Sequence, residues 1–134
     1  MPKTFELEIA TPERLLVKEH VTEAQIPGAE GEMGVLVGHA PLLSRLGIGL
    51  LSYTAGGRQY FLMIADGIVE ILPNHVRVLA VRAEKPDEVD TTRAEAAMKR
   101  AAERLRSPKE VLDYARAQSA LKRAQARIEL AKKK

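Results

Sequence analysis

The sequence holds no cysteine and no tryptophan in 134 residues, and aromatic side chains make up only 4% of it. Without cysteine there is no disulfide framework, no thiolate zinc site and no cysteine nucleophile, and the absence fits a reducing compartment. No apolar run approaches the roughly 18 residues that cross a bilayer. The opening Met1-Pro2-Lys3-Thr4-Phe5-Glu6 puts charge where a secretory signal needs an apolar stretch, so no signal peptide is expected. The three histidines, His20, His39 and His75, lack the close spacing of a metal motif. What remains is ordinary globular composition, with 46% hydrophobic and 29% charged residues and a net charge of +3.

Glycine is missing from one part of the chain and concentrated in the other. All 9 glycines lie between Gly28 and Gly67, and 6 of the 7 prolines lie at or before Pro86. Residues 1–86 carry 8 basic and 10 acidic side chains, whereas residues 87–134 carry 13 basic and 8 acidic ones together with 11 alanines. Glycine supplies turns and alanine is the best helix former, so the composition step marks a change of architecture at Pro86.

Residues 1–86 read as short strands. Phe5, Leu7 and Ile9 alternate with Glu6 and Glu8, the period of a strand with one buried face. Strands are expected over Arg14 to Val21 and Glu23 to Ile26, with a turn at Pro27-Gly28. Two hairpins follow: Leu50 to Thr54 with Arg58 to Ala65 around Ala55-Gly56-Gly57, and Ile68 to Leu72 with Val76 to Val81 around Pro73-Asn74-His75. Many short strands between turn signals predict an antiparallel β-sandwich. Phe5, Tyr53, Tyr60 and Phe61 alone supply its aromatic bulk, so aliphatic packing must dominate.

Residues 87–134 read as two antiparallel helices, giving an α+β chain with a C-terminal hairpin. Asp87, Asp90 and Thr92 compete to cap the first helix, and Ser107-Pro108-Lys109-Glu110 has the form of a second helix start. Ala94, Met98, Ala101 and Leu105 form one heptad seam; Tyr114, Ala117, Leu121, Ala124, Ile128 and Ala131 form the other. A seam so rich in alanine buries little area per contact, so the hairpin looks able to open. Arg93, Arg100, Arg104, Arg116, Arg123 and Arg127 each precede a seam residue and are expected on one side of the closed hairpin, with few carboxylates beside them. Guanidinium forks suit phosphate oxygens, but spacing alone favours a solvated basic face over a phosphate site.

The runs "ATPERLL" (Ala10 to Leu16), "PGAEGEMGVL" (Pro27 to Leu36), "GHAPLL" (Gly38 to Leu43) and "VDTTRAEAA" (Val89 to Ala97) occur in an order that resembles the epsilon subunit of bacterial F-type ATP synthases. The resemblance covers essentially the whole chain. It departs mildly at Val37, at Ala65-Asp66-Gly67 and at Val89. It implies a non-catalytic rotor subunit of the central stalk in a proton-translocating complex, peripheral on the cytoplasmic face of the bacterial plasma membrane without lipid insertion. The implied partners are the gamma subunit, the c-ring and the alpha and beta subunits of the catalytic head.

The resemblance also assigns residues. Glu30, Glu32, Gly38, His39, Ala40, Pro41 and Leu42 match the family's contact with the c-ring and gamma. Val89-Asp90-Thr91-Thr92-Arg93-Ala94 matches a family ATP-binding motif, completed by Glu84, Arg100, Arg123 and Arg127. ATP is implied as a regulatory ligand, no cofactor or metal is required, and no Walker-type loop supports hydrolysis. Arg116, Arg123 and Arg127 are the residues expected to pair with the beta subunits when the hairpin extends and inhibits. No catalytic residue is expected, because nothing nucleophilic accompanies His39. The rival reading is a small basic nucleic-acid-binding protein, favoured by a pI near 9.3 and the Lys132-Lys133-Lys134 tail but lacking aromatics among the arginines.

Overall fold

The computed structural model describes residues 3–106 and 111–133. In chain order these form β1 (Phe5–Ala10), β2 (Leu15–Val21), β3 (Glu23–Gly28), β4 (Gly31–Leu36), β5 (Leu42–Arg45), β6 (Ile48–Ala55), β7 (Arg58–Leu72) and β8 (His75–Glu84). A 3-10 turn (Pro86–Glu88) and two helices, α1 (Thr91–Arg106) and α2 (Val111–Ala131), complete the order. The strands make one continuous sheet, ordered β2-β1-β8-β7-β6-β3-β4, with β5 also paired to β7. Its two ends fold over each other, so side chains from both surround one apolar core that includes Leu7, Val21, Ile26, Val35, Leu51 and Ile71. This is the expected sandwich, antiparallel in every named pair but one: β1 runs parallel to β8.

The alternation in β1 is realised directly, with Phe5, Leu7 and Ile9 buried and Glu6 and Glu8 on the outer face. The Gly56-Gly57 turn between β6 and β7 has φ of 58° and 76°, the left-handed pair that matches the twist of a two-residue hairpin. β7 corrects the sequence reading, for the two strands expected across Arg58–Leu72 are one bent strand. It pairs with β6 through residues 58–65 and with β5 through 68–71, and its register against β8 passes through the bend without an inserted residue. The bend falls at Asp66 and Gly67, with φ of 62° and 120°. A Cβ on Gly67 would lie 2.1 Å from the Leu79 carbonyl oxygen, so glycine is required there.

β3 continues through Pro27-Gly28 instead of turning. β6 pairs with β3 only at residues 23–25, and the missing N–H of Pro27 therefore breaks no ladder bond on that side. β4 and β5 were not foreseen, because Gly31 and Gly34 give β4 poor strand character and Val35 is its one buried side chain.

Asp90 caps α1, its Oδ1 accepting the N–H of Arg93 at 3.1 Å, so the competing Asp87 and Thr92 do not serve as the cap. The expected start of the second helix, Ser107-Pro108-Lys109-Glu110, lies outside the described residues, as does Lys134. The helices meet along the alanine seam as read: Ala94, Ala101, Ala117 and Ala124 are buried, while Tyr114 is exposed. A second contact was not foreseen. α2 also rests on β6 and β7, where Ala126 and Leu130 join Met63, Ala65 and Val89, flanked by Ile48, Leu50 and Phe61. α2 thus has two apolar stripes, one for α1 and one for the sheet. Phe61 belongs to this helix contact and Tyr60 to the surface, leaving Phe5 and Tyr53 as the aromatics of the sandwich core.

Candidate functional site

The end of β8, the 3-10 turn and the two helices enclose a cavity of about 430 Å³ lined by Glu84, Glu88, Asp90, Arg93, Ala94, Ala97, Arg100 and Arg127. Each arrives by a simple local route. Glu84 is the last residue of β8, Asp90 is the helix cap, and Arg93, Ala97 and Arg100 recur along one face of α1 at helical spacing. Arg127 comes from α2, brought across by the alanine seam. Six of the seven residues expected to bind ATP are thus gathered here. Arg123 is the exception.

The cavity is mixed in charge, which corrects the expectation of crowded arginines with few carboxylates nearby. Arg127 donates from Nε to both oxygens of Glu84, at 2.9 and 3.1 Å, with each side chain about one quarter exposed. Glu88 accepts the backbone N–H of Lys85 at 2.8 Å, and the Arg14 guanidinium grips both of its oxygens, at 2.5 and 2.9 Å. The hydrogen bond from Arg14 is the main reason the Glu88 carboxyl is held below its usual range. Asp90 lines the cavity while its Oδ1 serves the cap. The guanidinium groups of Arg93 and Arg100 make no ion pair among the described residues, so the cavity keeps two uncommitted cations.

The other arginines part company with this group. Arg123 is half-buried outside the lining; burial lowers its pKa first, the like charges of Arg82 and Arg127 lower it further, and Asp66 opposes them. Arg104 and Arg116 are exposed and line no part of the cavity. The heptad argument placed six guanidinium groups on one side; the helices bring three together. Glu88 and Arg14 were missed, although Glu88 stands only two residues before the Asp90 cap.

The residues expected to face the c-ring and gamma divide between two places. Glu30 sits in the exposed turn between β3 and β4 and Glu32 on β4; both line a shallow hollow of about 700 Å³ with Met33, Leu43, Arg45 and Ile68. Gly38, His39, Ala40 and Pro41 form the loop at the far end of β4, where the N–H of Gly38 bonds the Pro73 carbonyl at 3.0 Å and Nδ1 of His39 lies 2.8 Å from the Ala40 carbonyl oxygen. Leu42 starts β5, with its side chain exposed. Met33 to Leu36 of β4 lie between Glu32 and this loop, while Leu42 adjoins Leu43 of the hollow. Reaching the hollow at Ile68 is an apolar strip that was missed: Leu15, Ala10, Leu79 and Ile68 face one another across β2, β1, β8 and β7. Leu15, Leu79 and Ile68 are 55%, 42% and 44% exposed. A run such as Ile68 to Leu72, apolar at four of five positions, reads as buried on both faces, which hid the strip.

Comparisons with known proteins match the chain along almost its whole length. Residues 4–86 fit the model described as ATP synthase, Delta/Epsilon chain, beta-sandwich domain, and residues 87–132 fit ATP synthase, Delta/Epsilon chain, long alpha-helix domain. An ATP synthase epsilon chain of Solibacter usitatus is 53% identical over 108 residues, 81% of each chain. One from Koribacter versatilis is 49% identical over 107 residues, 80% of this chain and 75% of that one. Among solved structures, a chain in the OSCP/F1/c-ring portion of the Euglena gracilis mitochondrial ATP synthase superposes with a TM-score of 0.82 at 26% identity, covering 98% of this chain and 82% of that one. A chain from the central stalk and c-ring of the Tetrahymena thermophila enzyme shares the fold, with a TM-score of 0.57 at 15% identity over 98% and 96% of the two chains.

Proposed function

The chain belongs to the delta/epsilon family of ATP synthase subunits, and from that premise we propose that its two parts divide the work of a non-catalytic central-stalk subunit, the sandwich docking on the rotor and the helical hairpin regulating it. The sandwich meets gamma and the c-ring. The exposed strip of Leu15, Leu79 and Ile68 supports an apolar docking face, and Glu30 and Glu32 offer carboxylates to polar loops of the ring. No helix among the described residues is long and apolar enough to cross a membrane, in keeping with a peripheral place on the cytoplasmic face.

The hairpin binds ATP as a regulatory ligand. The observation that carries this reading is the gathering of Glu84, Asp90, Arg93, Arg100 and Arg127 around one cavity that holds two unpaired guanidinium groups. Phosphate oxygens pair with Arg93 and Arg100 and compete with the Glu84 carboxylate for Arg127. Glu84, once released, and the free oxygen of Asp90 accept from the adenine amino group. Residues from both helices close around the ligand, so ATP favours the folded-down hairpin by its differential affinity for that form. Extended, the 21 residues of α2 reach about 32 Å and carry Arg116, Arg123 and Arg127 toward acidic segments of the beta subunits, which restrains hydrolysis.

The nucleic-acid reading finds no support, since the relatives are epsilon chains and the cavity sets the carboxylates of Glu84, Glu88 and Asp90 among the hairpin's arginines, Arg127 being paired with Glu84. Calorimetric titration of ATP into the full chain tests the site: Arg93→Ala with Arg100→Ala should weaken binding by about a hundredfold, two charge-assisted contacts being lost. Unchanged binding would return these arginines to a solvated face. In the reconstituted complex, Arg116→Ala with Arg123→Ala should relieve inhibition of hydrolysis while leaving assembly intact.

A further inference from the structure

A second cleft, of about 470 Å³, lies between β2, the start of β7, the 3-10 turn with the residue before it and the end of the hairpin. Four cations line it from four separate stretches of chain: Lys18 on β2, Arg58 on β7, Lys85 before the turn and Lys133 beyond α2. Glu19 and Asp87 are the carboxylates there, so cations outnumber anions two to one. None of the four cations makes an ion pair among the described residues.

Aromatic rings hold two of these cations in place. Tyr53 and Tyr60 stack with centroids 5.2 Å apart and planes 18° from parallel, and the Arg58 guanidinium carbon sits 5.6 Å from the Tyr60 centroid. The Lys133 ammonium lies 4.7 Å from the centroid of Phe61. Burial and the neighbouring Glu19 push the Tyr53 phenol up to about 12, so this wall stays neutral. A ring beneath a cation orients it without neutralising it, and the guanidinium edge and ammonium protons remain free to donate. The rings are engaged with each other and with the cations, so the cleft selects for charge density over a flat base.

We propose that this cleft is a second anion site, taking a small polyphosphate, and that it is complete only while the hairpin is docked. Lys133 is the one cation that the hairpin supplies; Lys18 and Arg58 belong to the sandwich. Docking adds the fourth positive charge to the other three, and a polyanion bound among them offsets the repulsion. By linkage, such an anion stabilises the docked hairpin to the extent that it prefers that form. The site shares no lining residue with the ATP cavity, although Lys85 and Asp87 adjoin Glu84 and Glu88 in the chain.

Inorganic tripolyphosphate is the probe, added to the isotope-labelled full chain while backbone amide NMR signals are followed. Saturable shifts are expected at Tyr60, Phe61 and Lys133, with slower amide exchange along α2. Arg58→Gln with Lys133→Gln should weaken this binding about tenfold or more, whereas Arg58→Lys with Lys133→Arg should retain most of it. Arg100→Gln, at the other cavity, should leave these shifts in place. ATP binding at the cleft as tightly as tripolyphosphate would assign a nucleotide's phosphate tail as the source, and weaker binding a free polyphosphate. Shifts that never saturate, shifts confined to Glu84, residues 88–100 and Arg127, or undiminished binding in the Gln double variant would each overturn the proposal.

Discussion

The sandwich and the hairpin are held by different amounts of the same force. The sandwich buries Phe5, Leu7, Ile9, Ile26, Leu51, Leu62, Ile64 and Ile71 essentially completely, and each large side chain contributes about 1.5–3 kcal/mol. The helix seam is made of Ala94, Ala101, Ala117 and Ala124, and the grip of α2 on the sheet rests on Leu130 with Ala126. Alanine removes a fraction of that area from water, so the hairpin is an attachment of a few side chains on a self-sufficient body. The difference teaches where a reversible motion can reside: in the part whose apolar contacts are few and whose remaining ties are ionic.

The comparison breaks most severely if the core is opened. Ile64→Ala, in the middle of β7, should cost about 2–5 kcal/mol and lower the urea midpoint of the whole chain. Leu130→Ala should act differently although the side chain is equally buried: amide exchange along α2 should accelerate strongly while the β1 and β7 amides keep their protection. A uniform loss of protection in both variants would mean that hairpin and sandwich unfold as one unit.

The smallest expected effect sharpens the comparison at the junction. Glu88 is gripped by Arg14 and holds the Lys85 N–H, which ties the turn after β8 to the β1–β2 loop. Its pKa is lowered in the folded chain, so its contribution is present above the usual carboxylate range and is lost as pH falls through the lowered value. Both partners are a third or more exposed, and the pair is worth at most ~1 kcal/mol. Amide protection at residues 85–90, taken relative to intrinsic exchange at each pH, should fall on acidification in the native chain, and Arg14→Ala should show the reduced protection already at neutral pH.

How far the sequence alone reaches follows the same division. Strands whose side chains alternate strictly, such as Phe5–Ala10, were legible, and so were the Gly56-Gly57 hairpin and the alanine seam, because each carries a short-range period or turn chemistry. β4 and β5 were not, since glycines and a single buried valine leave no period to read. The bend at Asp66 and Gly67 read as a strand break because local propensity cannot register that β5 and β6 both pair with the one strand on either side of it. In the cavity proposed for ATP, the α1 residues followed from the motif and helical spacing. Arg127 pairing with Glu84 did not, for 43 residues separate them and only the fold brings them together. Leu130 was overlooked because it lies off the heptad positions, on a second stripe whose partner is the sheet.

The bent strand β7 has a mechanical meaning. It is hydrogen-bonded to β8 on one edge and to β5 and β6 in turn on the other, so both layers of the sandwich share a single covalent backbone. In a body turned from one end and loaded at the other, torque passes between the layers along that backbone and its ladders without depending on the sliding friction of side chains. Shear between the layers would have to unzip ladders on both edges of β7 together. The sandwich therefore behaves as a stiff lever, and compliance in the subunit is displaced to the turn at Pro86–Glu88 and the helices beyond it.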